Sequence, residues 1–384
     1  MFMPFYLPSD KAPRVIIVGG GYAGLSAMVA LRQHSPEADI VVIDPRDHHL
    51  KVTHLHESFR RPLSEFRVPF DVLSKRFNAR HVQASLPFDE DSLNRWASDG
   101  FLEVSDDFFE FDYLIWATGT GSNNNQAMEH CFGLEDFART SGPELLNRIM
   151  QDKRDEDAWL TLVGSGATGI QFLFEISHYL KQLGLGWRLR LVDGSDAPLS
   201  QFNPKLGKYV LSRLQDAGID FLPNHYFKSQ TAVSLEVENK ETGELSQLPS
   251  QAAFLFMGIR PTNVIDTNIF GQVRLKGKTL PRIFAAGDCS RFNKPGSNSL
   301  SAQTALRKGR VVAHNVLRHC SKVKLLEPYI HRDLGYVISL GPADAVGWLG
   351  LPQYIVAGQP ATLIKEVVES QYDLLLAGLD TFVI

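Results

Sequence analysis

The sequence predicts an α/β fold with two doubly wound, parallel-sheet units of the same design, the second inserted in the first. Three observations carry this expectation. A glycine-rich turn occurs twice, as Gly19-Gly20-Gly21-Tyr22-Ala23-Gly24 and as Gly164-Ser165-Gly166-Ala167-Thr168-Gly169. Each turn follows an apolar run of strand character, Val15–Val18 or Leu160–Val163, and opens a run of helical character. Each unit then reaches a second apolar run that ends in an acid, Asp44 or Asp193. A strand, a Gly-x-Gly-x-x-Gly turn, a helix and a strand ending in a carboxylate form the Rossmann-like unit that binds dinucleotides.

The remaining elements follow in chain order. Val15–Val18 is β-branched and reads as a buried strand, Tyr22–His34 as a helix, and Ile40–Ile43 as the next strand. Between Phe66 and Gly119 lie short strand candidates at Arg80–Ala84, Phe101–Val104 and Phe108–Phe111, then the apolar strand Tyr113–Ala117. Ser122–Asn125 is a polar loop with the character of a hinge. The second unit runs through Trp159–Val163, a helix over Gly169–Lys181 and the strand Trp187–Val192. A helix over Lys205–Ala217 and a small meander over Phe227–Gln251 follow, the latter turning at Glu241-Thr242-Gly243. Ala252–Met257 and Thr279–Ala286 are strands, and Ser299–His319 is a helix. The tail holds a strand at Tyr336–Leu340 and a helix over Ala361–Ala377.

Composition narrows the function. The chain has 384 residues, room for two or three domains at roughly 150 residues each. A net charge of −4 leaves no footprint for nucleic acid. Cys131, Cys289 and Cys320 are far apart and form no CxxC pair, which argues against a disulfide scaffold, a zinc site or a local dithiol, and fits a reducing cytoplasm. No apolar stretch approaches the roughly 18 residues of a membrane span. Met1–Pro8 is apolar but lacks a basic leader, and reads as a surface extension.

The fingerprints have a mechanical reading. Gly19 permits a tight turn, Gly21 lets a pyrophosphate approach the backbone, and Gly24 lets the helix lie close to the sheet. The helix N-terminus offers N–H groups and a positive partial charge to the phosphates. Asp44 lies 20 residues past Gly24, where a carboxylate accepts hydrogen bonds from a ribose diol. Gly164, Gly166 and Gly169 repeat the pattern with Asp193. Asp193 is followed by Gly194 and Ser195, with no base to receive a 2′-phosphate, so NADH is favoured over NADPH.

The order of motifs resembles the two-dinucleotide-binding-domain flavoprotein oxidoreductases. It runs first fingerprint, "YLIWATG" (113–119), second fingerprint, "FLFMGIRP" (254–261) and "IFAAGDCS" (283–290). Within that group the chain is most similar to type II NADH dehydrogenases (NADH:quinone oxidoreductases). The similarity adds "DPRDHHL" (44–50), "GSGATGIQFLFEI" (164–176), "SAQTALRKG" (301–309) and "GQPATLIKEVVESQY" (358–372). The resemblance implies an FAD-binding domain over 1–122 and 279–330, an NADH-binding domain over 123–278, and a C-terminal strand and helix region over 331–384. It assigns FAD to Gly19, Gly21, Tyr22, Ala23 and Gly24, to Asp44, Pro45, Arg46 and His49, and to Ala117, Thr118 and Gly119. Gly287, Asp288 and Ala302 complete that set, with Asp288 on the ribityl chain. It assigns NADH to Gly164, Gly166, Ala167, Thr168, Gly169, Asp193 and Gly258. Ala302 and Gln303 open a helix whose N-terminus would face the flavin, where a quinone would meet it.

Two residues depart from the family pattern. Gln171 stands where the family often has a Glu beside the flavin–nicotinamide junction, with Glu175 one turn on as a second acid. Arg307 stands where a second Gln is common, one turn beyond Gln303. With them, Gln171, Glu175, Gln303 and Arg307 are the candidate catalytic residues. The histidines His48, His49, His54 and His56 are read as lining the flavin rather than a metal. Cys131 sits near the place of one catalytic Cys in sulfide:quinone oxidoreductases, but no partner Cys matches. The tail helix carries an apolar stripe from Leu363 to Leu375, and its charges Lys365, Glu366, Glu369 and Asp373 sum to −2. Interfacial helices are usually basic, so peripheral attachment to the inner face of the cell membrane and a homodimer contact both remain open. The expected function is an FAD-dependent NADH oxidoreductase with a quinone-like acceptor. The alternatives are a soluble reductase of a ferredoxin- or rubredoxin-like protein and a non-enzymatic flavoprotein sensor or scaffold.

Overall fold

A computed structural model describes residues 11–120, 128–151, 158–258, 261, 263–293 and 296–379. The expected surface extension Met1–Pro8 and the polar loop Ser122–Asn125 lie outside the described residues.

The first unit is an eight-stranded sheet. Its parallel part runs Lys278–Ala285, Tyr113–Trp116, Arg14–Val18, Asp39–Asp44 and Arg80–Gln83 in spatial order. The central strands are buried on both faces, which is why they read as nearly unbroken apolar runs. The second unit is a five-stranded parallel sheet in the order Asp220–Leu222, Arg188–Val192, Trp159–Val163, Ala252–Leu255 and Cys131–Phe132. Its fingerprint helix spans Ala167–Gln182, and that of the first unit spans Tyr22–His34. The meander forms as a separate three-stranded sheet over His225–Gln230, Ser234–Asn239 and Leu245–Pro249.

The boundary expected at 278/279 falls inside a hairpin. Gln272–Leu275 pairs antiparallel with Lys278–Ala285, and Ile265–Thr267 pairs with Gln272–Leu275 and with Ser290–Phe292. These short strands carry too few residues for a periodic signal. The chain returns to the first sheet between Leu255 and Ile265. Helices at Phe70–Phe77, Glu90–Asp99, Leu134–Arg139 and Gly142–Gln151, and the 3-10 segment Val52–Phe59, were not expected. The Glu90–Asp99 helix nevertheless has clear ends. Asp89 accepts from the N–H groups of Asp91 and Ser92 at 3.0 and 3.1 Å, and Gly100 closes it in the left-handed region.

Two contacts place the site. Helix Tyr22–His34 packs tightly on helix Ala302–Cys320, because a Cβ at Gly309 would lie 2.1 Å from the Ala23 carbonyl oxygen. The Ser26 hydroxyl donates to the Leu306 carbonyl across the same contact at 2.8 Å. The C-terminal region forms a three-stranded antiparallel sheet, Gly335–Ser339, Ala345–Leu349 and Ile355–Ala357, followed by helix Gln359–Leu376. Tyr372, Leu375 and Leu376 join the core of the first unit, whereas Ile338, Leu340, Val346 and Trp348 join that of the second. The tail therefore ties the two units together beside their fingerprints.

Candidate functional site

The two fingerprints are built on one hydrogen-bond plan. In the first, the Gly19 N–H donates to the Ile43 carbonyl at 2.7 Å and the Gly20 N–H to Asp44 Oδ2 at 2.7 Å. In the second, the Gly164 N–H donates to the Val192 carbonyl at 2.9 Å and the Ser165 N–H to Asp193 Oδ2 at 2.6 Å. Each acid thus fixes its turn while presenting a carboxylate at the strand's carboxyl end. Asp193 also accepts from the Ser195 N–H at 2.7 Å. Asp44 accepts from the Arg46 N–H and guanidinium at 3.0–3.1 Å. Burial works against the Asp44 charge, but Arg46 and the two N–H donors outweigh it and hold its pKa below the ordinary value.

The glycines divide into two kinds. Cβ atoms at Gly19 and Gly164 would lie 2.4 and 2.2 Å from the carbonyl oxygens of Ala117 and Phe256, and both residues have φ near +105°. Cβ atoms at Gly24 and Gly169 would lie 1.9 Å from the carbonyl oxygens of Gly19 and Gly164. These four are required by the chain's own packing. Gly21 and Gly166 are not. A Cβ at Gly21 would meet nothing within 4 Å, and one at Gly166 only a flexible Gln201 side chain at 3.8 Å. Their backbones, at φ −78° and −69°, suit any residue. Glycine at these two positions keeps open a space that protein atoms do not use, at the N-terminus of a helix. A pyrophosphate fits that space and its polarity.

One cavity of about 520 Å³ joins the two units. From the first unit it is lined by Gly19, Gly21, Tyr22, Ala23, Asp44 and Arg46, by Ala117, Thr118 and Gly119, and by Gly287 and Asp288. Ala302, Gln303 and Arg307 line it from helix Ala302–Cys320, whose N-cap Ser301 accepts from the Thr304 N–H. Thr168 and Gln171 enter from the second fingerprint helix. The C-terminal region closes it with Tyr336, Val337, Leu349, Ile364, Val368 and Tyr372. Asp288 Oδ1 is buried without a hydrogen-bond partner, and burial pushes its carboxyl up to about 6. A hydroxyl-rich chain such as the ribityl of FAD would supply the missing donor, so these residues fit the group.

Other expected residues stand elsewhere. Pro45 is exposed, and its carbonyl accepts from Gln83 Nε2 at 3.1 Å. His49 sits behind the turn, not in the cavity wall. It bridges the Gly20 carbonyl at 3.0 Å and the Tyr372 hydroxyl at 2.7 Å, and burial lowers its pKa to about 3. The neutral ring thereby props the first fingerprint against the tail helix. Glu175 is buried outside the cavity lining and accepts from Arg60 Nε at 3.1 Å. Burial raises its pKa, with Arg60 opposing. It does not stand in for a carboxylate at Gln171. Gly258 is exposed beyond strand Ala252–Leu255, with φ +89°.

The Gln171 amide reaches His56 Nε2 at 2.9 Å and Ser339 Oγ at 3.3 Å, and Ser339 Oγ lies 3.0 Å from His56 Nε2. The sequence pointed to His54 and His56 as flavin-lining residues; His54 does line the cavity, whereas His56 does not, and Lys308 was not selected. Ala305, Lys308, Val312 and Val316 have helical spacing, a signal that could have placed Lys308 on the buried face where the structure has it. His54, Glu57 and Glu369 offer ligand atoms within 4.8 Å of one another. The Lys365 ammonium already donates to both carboxylates there, to Glu57 at 3.3 Å. Cys131 lies on the edge strand of the second sheet, and burial pushes its thiol up to about 11, away from a reactive thiolate.

The family model for pyridine nucleotide-disulphide oxidoreductases matches residues 13–309. The type II NADH:quinone oxidoreductase of Staphylococcus aureus is 26% identical over 400 residues, covering 95% of this chain and 96% of that protein. The structure of NDH2 from Plasmodium falciparum in complex with NADH is similar in fold, with a TM-score of 0.80, 15% identity and 96% of each chain covered. The sulfide:quinone oxidoreductase of Aquifex aeolicus shares the fold at a TM-score of 0.76 and 16% identity, over 96% of this chain and 92% of that one. The duplicated fingerprints and the match over most of the chain lead to one conclusion: the protein belongs to the pyridine nucleotide-disulphide oxidoreductase family.

Proposed function

We propose that the protein is an FAD-dependent NADH dehydrogenase that passes electrons to a quinone. One observation carries this reading: residues of both fingerprint helices, Tyr22 and Ala23 from one and Thr168 and Gln171 from the other, line a single cavity. The full-length similarity to a type II NADH:quinone oxidoreductase supports the same donor and acceptor. FAD, when bound, supplies the chemistry, taking a hydride from NADH and delivering two electrons onward. The chain's residues bind and align. Gly21, Asp44 and Asp288 hold FAD, and Gly166 and Asp193 hold NADH. Gln171 orients the nicotinamide end through its amide, itself fixed by His56 and Ser339. Gln303 and Arg307 face the acceptor, and Tyr336, Leu349, Ile364 and Val368 form its apolar wall.

The C-terminal region that closes the cavity also presents an exposed apolar face with Leu349, Leu351, Tyr354, Leu363, Val367 and Val368, of which Leu349 and Val368 line the cavity. No helix among the described residues is long and apolar enough to cross a membrane. We assign this face to peripheral contact with a bilayer, from which a quinone enters beside Leu349 and Val368. The test supplies NADH and a quinone carried in phospholipid vesicles. The protein should float with the vesicles and reduce the quinone. Arg307→Ala should raise the KM for quinone about tenfold, as for one lost charged hydrogen bond, and leave flavin reduction by NADH unchanged. An unaltered quinone KM would remove Arg307 from the acceptor pocket. A stable dimer that ignores vesicles would assign the apolar face to a second copy.

A further inference from the structure

We propose that Lys308 is a positioning residue for Asp288, holding that carboxylate toward the cavity and in its ionised, hydrogen-bond-accepting form. The inference rests on the placement of FAD above. Lys308 is 1% exposed, on the buried stripe of helix Ala302–Cys320. Its ammonium lies inside the turn that carries Asp288. It donates to the Ser290 carbonyl at 2.7 Å and to the Gly287 carbonyl at 3.4 Å. The turn is closed on itself by the Ser290 N–H and hydroxyl, which donate to the Gly287 carbonyl at 3.1 and 2.7 Å. The Phe292 ring centroid lies 5.3 Å from the ammonium. Two carbonyls and a ring hold the ammonium, but they bring no counter-charge. Burying an ammonium without one is costly.

The groups acting on this pair are few. Asp288 feels Lys308, and Lys308 feels Asp288 and the neighbouring Cys289 thiol. Burial lowers Lys308 to about 8, and Asp288 and Cys289 oppose the fall. Burial pushes Asp288 up to about 6, and Lys308 pulls it back. At these values both are charged at neutral pH, and each favours the charge of the other. A ligand hydroxyl donates more strongly to a carboxylate than to a neutral acid. FAD should bind tightly above the Asp288 pKa and more weakly as pH falls through it. Removing the ammonium raises that pKa and moves the weakening into the neutral range. Near pH 9 Lys308 is itself mostly neutral, so its removal should matter little there.

The experiment follows FAD release on dilution of the holoprotein, by recovery of flavin fluorescence, at about pH 7 and about pH 9. Lys308→Met should release FAD about tenfold more readily at the lower pH, which takes a rise of about two units in the carboxylate pKa, and within about twofold of wild type at the higher. Lys308→Arg should keep the wild-type profile. Lys308→Gln, which still donates to the Ser290 carbonyl, should follow Lys308→Met and serves if that variant does not fold. Combined with Asp288→Asn, Lys308→Met should add nothing to FAD release. An equal weakening at both pH values, or one that persists with Asp288→Asn, would overturn the proposal and leave Lys308 a purely structural role. If Asp288→Asn alone leaves FAD affinity unchanged, the placement of FAD on Asp288 fails first, and the proposal with it.

Discussion

Gly21→Val should give a folded protein that purifies without its yellow colour. The fold should survive because nothing lies within 4 Å of the new Cβ and the backbone, at φ −78°, is ordinary for valine. The flavin should be lost because the side chain fills the space at the helix N-terminus that a pyrophosphate needs. A fall in FAD content of more than about tenfold is expected, equivalent to at least about 1.4 kcal/mol of binding. Flavin absorbance per chain measures it, with circular dichroism and thermal unfolding as the check on folding. Gly24→Ala is the contrasting case. Its Cβ would lie 1.9 Å from the Gly19 carbonyl oxygen, so folding itself should fail or weaken by several degrees of Tm. A Gly21→Val protein with full flavin would show that Gly21 is not where the pyrophosphate lies.

Asp193→Arg should reverse the choice of nicotinamide cofactor. The Asp193 carboxylate is held by the N–H groups of Ser165 and Ser195 at 2.6 and 2.7 Å, at the strand edge where a ribose diol would donate to it. A 2′-phosphate there meets like charge, and no base follows in Gly194-Ser195 to offset it. Losing the carboxylate removes a charged hydrogen bond, on the order of 1.5–3 kcal/mol, so kcat/KM for NADH should fall about 10- to 100-fold. The arginine supplies the missing partner for the phosphate, so kcat/KM for NADPH should rise. Steady-state rates with both cofactors and one quinone give the ratio. Asp193→Asn, which keeps an oxygen for the Ser165 N–H but not the charge, should lower NADH use without gaining NADPH. A ratio unmoved by Asp193→Arg would take Asp193 away from the ribose.

What the sequence revealed follows from where its constraints are local. A Gly-x-Gly-x-x-Gly turn, the strand before it and the acid after it sit within about thirty residues, the span of one βαβ unit. Both units were therefore legible, down to the matching places of Asp44 and Asp193 at the strand ends. The strands Ile265–Thr267 and Gln272–Leu275 were missed because three or four residues show no period, and the inserted unit's far boundary shifted with them. Glu175 has the right helical spacing from Gln171, but it is turned to Arg60, a partner 115 residues away that spacing cannot reveal. The His49 ring lies one layer behind the cavity for the same reason. Its partner Tyr372 comes from the tail, 323 residues on. Lys308 was within reach of the sequence as a charge on a buried stripe, yet its purpose depends on the turn at Gly287, which only the fold brings beneath it. The cavity itself combines the first unit, the second unit and the tail, and no local pattern announces that meeting.

Anaerobic titration of the purified yellow protein with NADH tests most directly whether the two fingerprints share one electron path. The shared cavity predicts that about one equivalent of NADH per FAD bleaches the flavin, that NADPH does so far less well, and that a short-chain quinone restores the colour. Flavin that stays oxidised with either nicotinamide cofactor would contradict the path, whatever each fingerprint binds by itself. Reoxidation by a small iron–sulfur protein but not by a quinone would keep the donor side and contradict the acceptor assigned to Gln303 and Arg307.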